Sequence, residues 1–188
     1  MGSGTKTDNK DPSAKLELRR HFLRTYHAGG AVHVLDCCQA TGFLWRTLRA
    51  EFPVASYWGL DLKPKKGRLK LDSVRVLEQR GWNQNVIDVD TYGSPWKHWA
   101  ALLPNVKQPT TVFLTIGQIS MGTDCLIPAI LGLGELPVPP GIALKLHDMA
   151  LAHLLGAASQ KGLKIIEAQE AAGGKSNARY IGLHLRRL

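Results

Sequence analysis

Three cysteines in 188 residues are too few for a disulfide framework. Cys37 and Cys38 are adjacent and Cys125 stands alone, so no CxxC pair exists and a reduced, cytoplasmic setting is expected. The seven histidines are no better arranged for a metal. His147 and His153 are six apart, on different faces of any helix, so no metal site is expected. No apolar run approaches the ~20 residues of a membrane helix, so no membrane partner is expected. The opening "MGSGTKTDNKDPSAK" has no apolar core, so no secretory signal is expected there. Residues 1–13 are expected as a disordered tail and 14–188 as a single domain, with no internal repeat. Two nucleotide signatures are also missing: no Gly-x-x-x-x-Gly-Lys-Ser/Thr phosphate loop occurs, and "CCQATG" keeps only Gly42 of a dinucleotide fingerprint.

Positive charge is in excess. Twenty-four Lys and Arg against 15 Asp and Glu give a formal charge of +9, which favours polyanionic partners. The bases gather at Lys15, Arg19, Arg20 and Arg24, and again in "LKPKKGRLK" from Leu62 to Lys70. Each cluster reads equally as a solvated face or as a nucleic-acid patch.

The apolar pattern alternates between two periods. "AKLELRRHFLRTY" predicts a helix with Leu16, Leu18, Phe22 and Leu23 inward. "AVHVLD" predicts a buried strand ending at Asp36, and "GFLWRTLRAEF" a helix with Phe43, Leu44, Leu48 and Phe52 inward. "ASYWGLDL" predicts a strand ending at Asp61, and "GRLKLDS" a short third strand ending at Asp72. "SVRVLEQRG" predicts a helix, "NVIDVD" a strand, and "PWKHWAALL" a helix with Pro95 in its first turn. "TTVFLTIG" predicts a strand covered on both faces. "LGLGELPVPPG" is a Pro-rich loop suited to a lid, followed by a long amphipathic helix, and two strand-like runs around Gly173-Gly174 close the chain as a hairpin. The expected fold is a doubly wound α/β domain. Its sheet would be seven-stranded and mostly parallel, with a C-terminal antiparallel hairpin.

In such a sheet, ligands bind at the carboxyl ends of the strands. Asp36, Asp61, Asp72, Asp88 and Asp90 all fall at or next to a predicted strand end. Any one of them alone would serve as a helix cap. Together they suit a cofactor carrying positive charge and hydroxyls but no phosphate. S-adenosylmethionine, with an ammonium, a sulfonium and a ribose diol, meets that description. Asp61 is placed for the ribose, Asp72 for the adenine amine and Asp36 for the ammonium. The expected cofactor-binding set is Asp36, Cys37, Cys38, Thr41, Gly42, Asp61, Leu62, Asp72, Ser73 and Asp88. Cys37 and Cys38 would enter as small packing residues, not nucleophiles.

"VLDCCQATGFLWRTLRAEF" followed by "YWGLDLKPK" is similar to the first two motifs of class I, Rossmann-like methyltransferases. "NVIDVDTYGSPWKHW" resembles the catalytic loop of the tRNA guanine dimethyltransferases, which typically reads Asp-x-Asp-Pro-Phe-Gly-Ser-Pro. Thr91 stands where that family has proline, and Cys38 and Ala40 stand where the first motif has glycines. The family also has a C-terminal RNA-handling domain, for which no counterpart is expected in these 188 residues. The resemblance implies methyl transfer to a base nitrogen, with RNA favoured over DNA. It makes Asp90, Tyr92 and Gly93 the catalytic loop, with Ser94 and Pro95 on the acceptor side; Trp96, three residues from Trp99 on the next helix, is expected to line the same side, and His98 to be a surface or capping residue. Two alternatives stay open: a small-molecule or protein acceptor at the same cofactor site, and an inactive methyltransferase-fold binding subunit.

Overall fold

A computed structural model of the protein describes residues 12–64, 69–91, 95–116, 152, 155–173 and 178–188. Four strands run parallel: β1 (Val32–Asp36), β2 (Val54–Gly59), β3 (Val86–Val89) and β4 (Thr110–Ile116). The antiparallel pair β5 (Leu163–Ala172) and β6 (Arg179–Arg187) completes a sheet of order β2-β1-β3-β4-β6-β5. The parallel sheet and closing hairpin match the expectation, but six strands are formed among the described residues, not seven. In place of the expected third strand, the described part of that run, residues 69–73, makes only the isolated bridge Asp61–Lys70. The reason is local: Asp72 accepts the Val74 N–H at 2.9 Å and caps the next helix at once, leaving too little chain for a ladder.

Side-chain alternation along the strands divides the molecule into two layers. One face carries Val32, Val34, Val86 and Phe113 beneath α1 (Ser13–His27) and α2 (Phe43–Glu51). The other carries Leu35, Ile87, Val89, Val112 and Leu114 against α3 (Ser73–Glu78), α4 (Trp96–Leu102) and α5 (residues 155–160). All seven residues of β4 are buried, as a centrally placed strand requires.

The α1 positions Leu16, Leu18, Phe22 and Leu23 are buried as expected. Phe22 packs closely against β6 because that strand offers no side chain there: a Cβ on Gly182 would sit 2.4 Å from Phe22 Cε2. The α2 face differs from expectation. Phe43 is exposed and Trp45 is buried instead, because the indole N–H donates to Asp88 Oδ2 at 2.7 Å. Residues 1–11, the Pro-rich loop 131–141, the predicted helix before residue 152 and Cys125 lie outside the described residues.

Candidate active site

The β1–α2 turn is built to bring backbone amides to the carboxyl end of the sheet. Cys37 N–H extends the ladder to Asp88 O at 2.8 Å, and Gln39 N–H reaches Leu60 O at 2.8 Å. Ala40 and Gly42 then adopt left-handed backbone (φ 44° and 67°), and Gly42 opens α2. Gly42 takes that conformation without the steric cost that Ala40 bears.

The five predicted acids do gather along this edge. Asp36 and Asp88 are register partners on β1 and β3. Asp90 follows β3, Asp61 follows β2 and Asp72 starts α3. Their partners differ, and that separates their roles.

Asp88 is fully buried, with both oxygens engaged: Arg19 Nε donates to Oδ2 at 2.8 Å, Arg19 Nη2 to Oδ1 at 2.6 Å, and Trp45 to Oδ2. It supports the sheet edge from below; the expectation that it faces the cofactor meets a carboxylate already enclosed. Lys15, one helical turn before Arg19, donates to both oxygens of Asp90 at 2.6 and 2.8 Å. Lys15 also lies over the Tyr180 ring, 5.1 Å from its centroid. The cations at i and i+4 of α1 therefore match the acids at i and i+2 of the strand and its extension.

Asp36 forms no ion pair among the described residues. Tyr57 donates its hydroxyl to Oδ2 at 2.7 Å, and Cys38 N–H donates to Oδ1 at 3.3 Å. Burial, together with the charge of Asp88, pushes the Asp36 carboxyl up to about 8. Among the described residues, then, these three buried or half-buried acids face two cations, and Asp36 is the one without an ion pair.

Asp61 is half-buried and accepts amides from both sides of the cleft: Ala40 N–H to Oδ2 at 2.9 Å and Lys63 N–H to Oδ1 at 2.8 Å. Each oxygen keeps a second lone pair. Thr41 and Leu62 are exposed and Gly42 half-buried on the same rim. Asp72 uses one oxygen as the α3 cap.

Other expected positions turn inward. Cys37 is buried in the core, and burial raises its thiol well above its ordinary value. Cys38 is half-buried, and its thiol is raised for the same reason. Ser73 is buried, its hydroxyl 2.9 Å from His98 Nε2. His98 is therefore a half-buried bridge between α3 and α4, held down at about 4 chiefly by burial. Pro95 caps α4, and Trp96 is only 2% exposed, packed with Trp99 in the core. That corrects its expected place on the acceptor side: positions 96 and 99, three apart on a short helix, both point at the sheet. Tyr92, Gly93 and Ser94 lie outside the described residues.

Sequence reasoning missed Lys15, Arg19, Trp45 and Tyr57. The Lys15/Arg19 and Asp88/Asp90 spacings carried a signal for the first two; the indole and phenol partners had none.

The arrangement fits a cationic, hydroxyl-bearing ligand. It offers one uncompensated buried carboxyl, Asp36, and one rim carboxylate with spare acceptor capacity, Asp61. Among the described residues no group of three or more His, Cys, Asp or Glu is arranged to hold a metal ion.

No family model matches the chain, and no curated protein matches it in sequence. Solved structures do match its fold. Trm1 from Pyrococcus horikoshii, in complex with S-adenosyl-L-methionine, is similar at a TM-score of 0.67 and 16% identity, over 95% of this chain and 56% of that one. The N-methyltransferase NodS from Bradyrhizobium japonicum WM9 is similar at 0.56 and 12% identity, over 96% and 99%. TYW2 from M. jannaschii, in complex with AdoMet, is similar at 0.56 and 10% identity, over 94% and 77%. This chain therefore spans little more than half of the Trm1 chain and most or all of the other two. At these identities the likeness is one of fold: the protein has the α/β architecture that these three structures share.

Proposed function

We propose that the protein is an S-adenosylmethionine-dependent methyltransferase that transfers a methyl group to a base nitrogen of RNA. The single observation that carries the cofactor reading is the pairing at the sheet edge. Asp36 is a buried carboxyl with no ion pair among the described residues, and Asp61 is a rim carboxylate anchored by the very turn that ends at Gly42. The fold shared with Trm1, NodS and TYW2, whose structures or names carry this cofactor or this chemistry, supports it.

The cofactor, when bound, supplies an electrophilic methyl on a positively charged sulfur. Asp61 would hold the ribose hydroxyls through its free lone pairs, its carboxylate kept in place by the Ala40 and Lys63 amides. Asp36 would offset the ammonium. Asp90 would accept the N–H of the acceptor amine and take its proton as the methyl leaves sulfur for nitrogen, with S-adenosylhomocysteine as the leaving group. Lys15 orients Asp90 by binding both its oxygens, and Arg19 fixes the strand below through Asp88. Tyr92 and Gly93 complete the catalytic loop, and Ser94 and Pro95 the acceptor side, on the family resemblance.

Calorimetric titration with S-adenosylhomocysteine tests the cofactor. Binding that is lost in Asp61→Ala supports it, and no heat at millimolar ligand refutes it. A small-molecule acceptor is the second reading, and one observation favours it. The α1 bases expected as a nucleic-acid patch are consumed internally: Lys15 by Asp90, Arg19 by Asp88, and Arg20 by Glu17 and Glu51, leaving Arg24.

A further inference from the structure

The end of the sheet opposite the candidate site carries a cluster of cations that form no ion pair among the described residues. Lys164 and Arg186 are register partners on β5 and β6, as are Leu163 and Arg187. Arg187 Nε donates to Val106 O at 3.1 Å, which brings it beside Lys107. The guanidinium of Arg187 also passes next to Gly162, the neighbour of Lys161. Lys107, Lys161, Lys164, Arg186 and Arg187 are all exposed, and none forms an ion pair among the described residues.

Folding does not ask for this cluster. Like charges directly opposite on antiparallel strands destabilise the pair. A cluster kept against that cost is complementary to a polyanion, whose phosphates release counterions to neighbouring Lys and Arg. It also makes up for the neutralised bases of α1. β4 runs from this basic end to the level of Asp90, a separation on the order of 20 Å at ~3.3 Å per residue. A single nucleoside does not reach both.

We infer that the basic end formed by Lys107, Lys161, Lys164, Arg186 and Arg187 is a second docking point for the phosphate backbone of the acceptor. The acceptor is then an RNA long enough to wrap from the methyl-transfer edge to the opposite end of the sheet. This rests on the nucleic-acid reading proposed above and narrows it to an extended or folded RNA.

The test is fluorescence anisotropy with a labelled 30-nucleotide RNA across a salt series. It compares the unmodified protein with the double variant Lys164→Ala/Arg186→Ala. Both positions are exposed and remote from Asp36, Asp61 and Asp90. The expected result is an RNA affinity roughly tenfold weaker, with the log–log salt slope reduced by about 1.4, or ~0.7 for each phosphate no longer neutralised. The S-adenosylhomocysteine affinity and thermal midpoint are expected to be undiminished.

An unchanged Kd and slope overturn the inference. So does increased self-association as the sole effect, which would assign the charges to protecting the β5 edge from pairing. RNA binding by the unmodified protein with no change in the variant defeats only this inference. No RNA binding by the unmodified protein even at low salt defeats the RNA acceptor as well.

Discussion

Arg19 and Asp88 form a bidentate pair, at 2.8 and 2.6 Å, each only 1% exposed and 69 residues apart in sequence. Together with the Lys15–Asp90 pair one turn away, they bolt the first helix onto the strand that ends at the candidate site. Burial opposes the arginine's charge, but Asp88 outweighs it and keeps the guanidinium raised above its ordinary value.

Removing one partner leaves a buried charge alone. Arg19→Met is expected to destabilise the fold by about 3–5 kcal/mol, measured by urea unfolding. Adding Asp88→Asn should recover part of that loss, since Asn still accepts from Trp45. If the double variant is no better than the single, the loss comes from packing and not from charge.

Asp90→Asn separates binding from turnover. The amide oxygen still accepts from Lys15, so the α1 interaction is kept, while proton acceptance is lost. Turnover is expected to fall by about 10²–10⁴-fold with cofactor affinity nearly unchanged. Equal loss of both would remove Asp90 from the catalytic role.

Asp36 makes stability fall with rising pH. Its carboxyl is raised from 3.8 to about 8, so the folded protein keeps a proton that the unfolded chain releases, and stability drops between about pH 4 and 8. Asp36→Asn is expected to raise the thermal midpoint most at pH 8 and least near pH 4. In the proposed function, a cationic cofactor favours the ionised form. Titrations in buffers of different ionisation enthalpy should then show proton release on binding near pH 7, absent in the variant.

His27 acts in the opposite direction. It lies 2.9 Å from Thr111 Oγ1, which bonds His184 Nδ1 at 3.0 Å. Burial, with the nearby His184, lowers it from 6.5 to about 4. The unfolded chain therefore binds a proton that the folded one refuses, and stability present above pH 6.5 is lost as pH falls toward 4. The thermal midpoint should fall over that window, and His27→Gln should flatten the decline.

Gly182→Ala places a methyl against Phe22, which is fully buried and has no room to retreat. A loss of about 1–3 kcal/mol is expected. Phe22→Leu in the same chain should relieve it; failure to do so would trace the cost to β6 itself.

Much of the architecture was legible in local patterns. The 3.6-residue period of α1, the unbroken apolar run of β4 and the Gly-interrupted hairpin each dictate their element through one-sided or two-sided burial. Gathering five acids on one edge also followed, because each ends a strand or starts a helix in a sheet of known polarity. The missing third strand was not legible: "GRLKLDS" has a strand's composition, yet the capping preference of Asp72 takes the chain into a helix first.

The local sequence determined which residues would stand at the carboxyl edge of the sheet, since strand period and turn chemistry act over a few residues. Only the tertiary structure decided what each of them does there. Asp88 and Asp90 carry the same charge as Asp36 and sit within one strand's width of it. The docking of α1 gives the first two a cation each and leaves the third without one, because ion pairs form between segments distant in the chain.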